Sequence, residues 1–269
     1  MNQHDDPQPR PRPAGTGGTG KRKPIHRRDT CNERLMPGIH YTPLYEFPVL
    51  QGCDAHPLSL VPYSAACQRG FCDPGAFIHF FEDDYRFESI WRDFDRALGK
   101  LRRFAGIIEP DFSTCIDYPR PVKAANRFRS QLIAARCEQA GIKVIPSVRA
   151  EPGCPWLLDG VPRHSTIAIS GYGLIKDPTE RRMFLRDVRT TVDTLQPRAI
   201  VYYGSDSHGA MDYPRSLGIT VWTYPANTRY FTRFHRHATP RNPVNQTVPG
   251  HKAAHGPEGG EPWEADAAD

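Results

Sequence analysis

The chain has 269 residues, 38% hydrophobic and 24% charged, with a formal net charge of +5, which suits one large domain or two small ones. No apolar run reaches the length of a membrane span, and the polar N-terminus lacks an apolar signal core, so neither a membrane nor a secreted protein is expected. The seven cysteines are odd in number and scattered, which argues against a disulfide scaffold and for reduced thiols in a cytoplasm.

Residues 1–30 read as a disordered basic arm. Up to Arg28 it holds seven Lys/Arg against Asp5 and Asp6, with five prolines, and it has too little apolar surface to offset ordering. Residues 31–75 mix Pro, Gly and aromatics without a period. They are expected to pack irregularly on the domain through Tyr41, Leu44, Tyr45, Phe47, Val49 and Leu50. The α/β domain is expected over 76–225. It opens with the apolar run Ala76–Glu82, which suits a strand buried on both faces. Ile90, Phe94, Ala97, Leu98, Leu101 and Phe104 then follow at helical spacing. Gly106–Glu109 reads as strand two. Pro119 and Pro121 open a second helix, with Val122, Ala125, Leu132 and Ala140 on its stripe and Gly141 after its end.

Ile142–Ile145 is strand three and Ser165–Ser170 strand four. Asp177, Pro178 and Glu180 form a helix start, with Leu185, Val188, Val192 and Leu195 facing the core. Ala199–Tyr203 is strand five. A short helix over Met211–Leu217 precedes strand six, Ile219–Thr223. Residues 226–269 form a C-terminal extension, disordered beyond about 238, where two Lys/Arg stand against five Asp/Glu. Alternating strands and helices point to a mainly parallel sheet of about six strands with flanking helices. It is either an open doubly wound sheet or a reduced relative of the eight-stranded barrel.

Five pieces carry a resemblance: His79–Glu88, Ile108–Ser113, Val144–Arg149, Ile167–Gly171 and Val201–Ser205. In order and spacing they resemble the bacterial and phage family named domain of unknown function 4417, over Phe77–Ser205. The resemblance implies a shared fold and an association with phages, prophages or other mobile elements. It carries over no activity.

Parallel α/β folds keep their working groups beyond the carboxyl ends of the strands. Asp83, Asp84 and Asp111 would follow strands one and two, where converging carboxylates can hold magnesium for phosphoryl chemistry. Otherwise Asp84 pairs with Arg86 or caps a helix, and Asp111 caps a turn. Arg86 and Arg149 suit a phosphate or carboxylate, or else an internal ion pair. Ser113, Ser170 and Ser205 would line the same edge, and His208, in the glycine-flanked loop Gly204–Gly209, would carry a proton. The alternative for that loop is an ordinary strand-to-helix turn.

Cys31, Cys53, Cys67 and Cys72 lack the paired spacing of a strong zinc site. His79, inside strand one, reads as a core histidine. The basic cluster Lys21–Arg28 and the aromatic-basic stretch Tyr230–His237 can contact nucleic acid. Two functions follow. One is a metal-assisted hydrolase or transferase acting on a phosphate-bearing or nucleic-acid substrate. The other is a non-catalytic nucleic-acid- or protein-binding module of a mobile element.

Overall fold

The computed structural model describes residue 29 and residues 31–226. The basic cluster, Tyr230–His237 and the predicted tail beyond 238 lie outside the described residues. Within them run β1 (Leu60–Pro62), α1 (Tyr63–Ala66), β2 (Phe77–His79), α2 (Asp84–Arg92), α3 (Phe94–Leu101), β3 (Gly106–Ile108) and α4 (Arg120–Gln139). Then come β4 (Val144–Ile145), β5 (Thr166–Ser170), α5 (Pro178–Leu195), β6 (Ala199–Tyr203), α6 (Asp212–Ser216) and β7 (Thr220–Tyr224).

All strand pairs are parallel and consecutive: β1-β2-β3-β4 form one ladder and β5-β6-β7 another. A parallel bridge between Ser147 and Ala168 joins them just past β4. There Val148 N–H donates to Ala168 O at 3.0 Å, and Ala168 N–H donates to Pro146 O at 2.8 Å. The strands therefore follow chain order across the whole sheet.

Side-chain alternation decides between an open sheet and a barrel. One face of the strands carries Val61, Ile78, Ile107 and Val144, packed with Phe87, Ile90, Leu101 and Leu132 of the helices. On the same face Ile167, Ile169, Ile200 and Tyr202 pack with Phe184, Val188 and Val192 of α5. The opposite face carries Leu60, Phe77, Ile108, Ile145, Ala168, Val201 and Tyr203, with Trp222 and Tyr224 of β7 against them. Among the described residues no helix residue joins that cluster. A doubly wound sheet needs helices on both faces. Here the inner face packs on itself and brings β1 and β7 into one cluster, so the sheet is curled into a barrel with an outer ring of helices.

Seven strands stand where about six were expected. The additional one, β1, lies in the stretch predicted to be irregular, so the expected domain start at 76 falls after the first barrel strand. The lead-in packs through Phe47 and Leu50, which are buried, whereas Tyr41, Leu44, Tyr45 and Val49 are exposed. It is held to α4 by Arg136, whose guanidinium donates to Leu35 O at 2.6 Å and Pro37 O at 3.0 Å. The helix expected through Ile90–Phe104 is two helices. Asp93 breaks it with φ −144° and ψ 72°, and its carboxylate caps α3 by accepting from Arg96 N–H at 3.3 Å. Among the described residues no helix is long and apolar enough to cross a membrane, and all seven cysteines are free thiols.

Candidate functional site at the barrel mouth

Because every strand runs the same way, the segments after β2, β3, β4, β5 and β6 meet on one rim. Two of these loops are laced together. Asp84, the first residue of α2, accepts from Ser113 Oγ at 2.9 Å and from Ser113 N–H at 3.2 Å. Asn126 of α4 donates to Ser113 O at 2.7 Å. Asp84 and Ser113 thus tie the β2 loop to the β3 loop. Asp83 stands apart: its carboxylate meets Arg86 Nε at 3.4 Å and its side chain is 69% exposed. The expected convergence of Asp83, Asp84 and Asp111 is therefore not formed. Among the described residues no group of three or more His, Cys, Asp or Glu is placed to hold a metal ion, the upstream cysteines included.

Beneath the rim lies a buried ion pair. Glu109, directly after β3, is fully buried and accepts from Arg127 Nη1 of α4 at 2.8 Å and from Ser147 N–H at 3.0 Å. Arg127 Nη1 also donates to Ser147 O at 3.2 Å, while its Nε and Nη2 are buried without a partner. Burial pushes the Glu109 carboxyl up to about 7, with Arg127 opposing the rise. This clamp sets the ends of β3 and β4 against α4.

Asp111 and Arg149 are the groups left facing outward from this frame. Asp111 accepts from Ser147 Oγ at 3.4 Å. Burial among its neighbours raises its pKa, Arg149 pulls it down and Asp84 pushes it up. The residue as a whole is nevertheless exposed. A carboxyl in a concave mouth is crowded by protein on most sides and wetted from one, so the upward direction holds but is damped. Arg149 is exposed and makes no hydrogen bond or ion pair to a described residue.

Arg149 also lines a cavity of about 250 Å³ beside the mouth, between the ends of β4 and β5, α5 and the loop Thr114–Asp117. Its apolar lining includes Val148, Ile169, Phe184 and Val188, and Ser170 lies at its edge. Asp187 and Glu151 line it as well. Glu151 is taken up by the buried Lys123 of α4 at 2.6 Å. Burial raises the pKa of Asp187, and Arg186 and then Arg149 oppose it.

The loop after β6 is satisfied within itself. Ser205 Oγ and Ser207 Oγ are 3.0 Å apart, and Asp206 pairs with Arg215 of α6. His208 is exposed at φ 57° and forms no hydrogen bond or ion pair to a described residue. Among the described residues no hydrogen bond or ion pair joins Ser205 or His208 to Asp111. His79 is indeed a core residue, 1% exposed on the inner face, with its ring 4.5 Å from that of Tyr203. Its Nδ1 accepts from Phe81 N–H at 3.2 Å, its Nε2 has no partner, and burial lowers its pKa to about 3.

The structure thus gathers Asp84, Asp111, Ser113, Arg149 and Ser170 around the β3–β5 part of the rim and its cavity, while Asp83 pairs with Arg86 after β2 and Ser205 and His208 lie in the β6 loop. Sequence reasoning missed Glu109, Arg127 and Asp187. Glu109 had a signal: a carboxylate directly after an apolar strand. Asp187 had none beyond lying one residue before Val188.

A family model described as Domain of unknown function (DUF4417) matches residues 39–224. The chain is 33% identical over 190 residues to the Gene 1 protein of Mycobacterium phage L5, a match covering 69% of this chain and 82% of the relative. It is 32% identical over 163 residues to the Gene 1 protein of Mycobacterium phage D29, covering 60% of each chain. This second match thus spans less than two thirds of the relative's length. No solved structure matches.

Proposed function

We propose, on the premise that the chain belongs to the domain of unknown function 4417 family, that its barrel mouth binds a small phosphate-bearing ligand on Arg149 and exchanges a proton with it through Asp111. The observation that carries this is the placement of one guanidinium: Arg149 lines the cavity, lies near Asp111 and Asp187, and has no hydrogen bond or ion pair to a described residue. A planar guanidinium is matched to phosphate oxygens, which it can bind through two parallel N–H donors. Barrel folds keep such groups on this rim, a fold-level analogy that adds support.

Asp111 suits the proton step because its surroundings favour the neutral acid more than water does. In hydrolysis or transfer, the acid gives its proton to the leaving oxygen as the P–O bond breaks. Water or a hydroxyl then bonds phosphorus and returns a proton to the carboxylate. Asp111 and the phosphate together offer the oxygen donors that magnesium takes, so the assay runs with and without that ion.

Inorganic phosphate and ribose 5-phosphate are the first probes, read by thermal shift and calorimetry. Saturating ligand stabilises the wild type, by about 2.7 kcal/mol at a hundred times Kd. Arg149→Ala abolishes the effect, whereas Asp111→Asn keeps binding and loses turnover. A wild-type protein indifferent to both probes at millimolar concentration, with and without magnesium, would overturn the proposal.

A further inference from the structure

The cavity next to Arg149 says what the rest of the ligand is. We infer that it receives a nucleobase bearing an exocyclic amino group, so that the ligand is a nucleoside monophosphate with its phosphate on Arg149 and its amino group on Asp187. The inference rests on the phosphate reading above and sharpens it.

Three features of the cavity support it. Its apolar lining includes Phe184, Val188, Ile169 and Val148, which favours a flat, weakly hydrated body over a bare sugar. Its volume of about 250 Å³ is below the usual range of about 300–1,000 Å³ for drug-sized ligands. A single base therefore suits it, with the sugar and phosphate outside toward Arg149. Its polar groups are mainly acceptors. Asp187 uses Oδ1 for Arg186, at 3.1 Å, and its Oδ2 has no hydrogen bond from a described residue.

Asp117, Glu151 and Glu180 also line the space, with Arg149 the only basic group among the lining residues. A phosphate inside would meet carboxylates. An N–H donor inside would meet an acceptor, and a half-buried carboxylate rewards an N–H donor more than a neutral acceptor does. Arg149 and Asp187, near enough to feel each other's charge, thus ask for opposite chemistries: an anion at Arg149 and a donor at Asp187.

The test compares AMP, purine riboside 5′-monophosphate (the same molecule without the amino group) and ribose 5-phosphate, by calorimetry on the full chain. AMP is expected to bind about tenfold or more tightly than purine riboside 5′-monophosphate, the usual worth of a hydrogen bond to a charged group. Asp187→Ala should bring the two within about twofold of each other, while any gain from freeing the nearby Arg149 charge is shared equally by ribose 5-phosphate. Asp187→Asn, which keeps the shape and an acceptor oxygen, should retain part of the preference. If ribose 5-phosphate binds through Arg149 but neither base improves on it, this inference falls and the phosphate reading stands. If AMP is preferred equally in wild type and Asp187→Ala, the amino group is read elsewhere and the inference also falls. If no phosphate binds, the reading beneath it falls first.

Discussion

At the scale of single residues, the Glu109–Arg127 pair makes a claim with a definite sign. Glu109 in the folded protein holds its proton to about 7, against 4.5 for the free group. Between those values the native state binds more protons than the unfolded chain, so stability falls as pH rises through that window. The full stabilisation exists below 4.5 and is gone above 7. Urea unfolding at pH 5, 6, 7 and 8 should show the wild type losing about 3 kcal/mol relative to Glu109→Gln across that range. Parallel curves for the two proteins would mean that the carboxylate is charged throughout.

His79 works in the opposite direction. Its folded value near 3, against 6.5, gives stability present above 6.5 and lost as pH falls below it. Subtraction against the variant is therefore what isolates Glu109. His79 was legible as a core residue from its place inside an apolar strand, whereas the pairing of Glu109 was not. Glu109 follows a strand in plain view, but its partner Arg127 is 18 residues away on a helix, and pairing at that range is a tertiary fact.

At the scale of elements, long amphipathic stretches were legible and mixed ones were not. The apolar stripe on α5 matches its buried residues, including Val188, Val192 and Leu195. The stripe on α4 matches at Leu132 but not along its first turns. Its buried face runs through Lys123, Arg127, Ser130, Gln131 and Ala134, and Val122 is 43% exposed. A face that carries a Lys–Glu and an Arg–Glu pair cannot be read from hydrophobic periodicity, because its charges are satisfied by other elements.

Two glycines test element packing from opposite sides. In β3, a Cβ on Gly106 would lie 2.7 Å from Lys143 O, a backbone atom that cannot swing away, and closer still to the buried Phe77 ring. Gly106→Ala should destabilise by about 1–3 kcal/mol, the cost of overpacking. In α3, a Cβ on Gly99 meets nothing within 4 Å. Gly99→Ala should stabilise by about 0.5–1 kcal/mol, through helix propensity and a stiffer unfolded chain. Chemical denaturation of the two variants side by side reads both signs. Equal effects would mean that β3 and β4 approach less closely than described here.

At the scale of the whole molecule, the barrel's closure decides which elements depend on one another. Alternating strands and helices gave the parallel α/β class, but two solutions fit that pattern. Inner-face residues such as Ala168 and Val201 look the same in an open sheet. β1 was hidden because it is three residues long and ends in proline, too short to show a period. With β1 in place, the seam runs between β7 and the segment before β1. Among the described residues β7 has one ladder neighbour, β6. Side chains cross the seam instead: Tyr224 hydroxyl donates to Pro57 O, and the Trp222 ring stacks on His56 with centroids 4.2 Å apart.

Such contacts hold less strongly than a backbone ladder, and β7 is partly exposed where β6 is fully buried. The barrel should therefore open first at β7. Native-state hydrogen exchange should show amides of Thr220–Tyr224 opening at lower free energy than those of Ala199–Tyr203, which exchange only near global unfolding. Trp222→Ala should speed exchange in β7 and spare β5 and β6, because the β5–β6 ladder and its α5 cover do not depend on the seam. Equal protection of β6 and β7 in the wild type would show that the seam is as strong as a ladder. Ligand binding at Arg149, on the β4–β5 side of the rim, should then leave β7 exchange unchanged. If binding slows β7 instead, the mouth and the seam are coupled through the shared inner cluster of Val201, Tyr203 and Trp222.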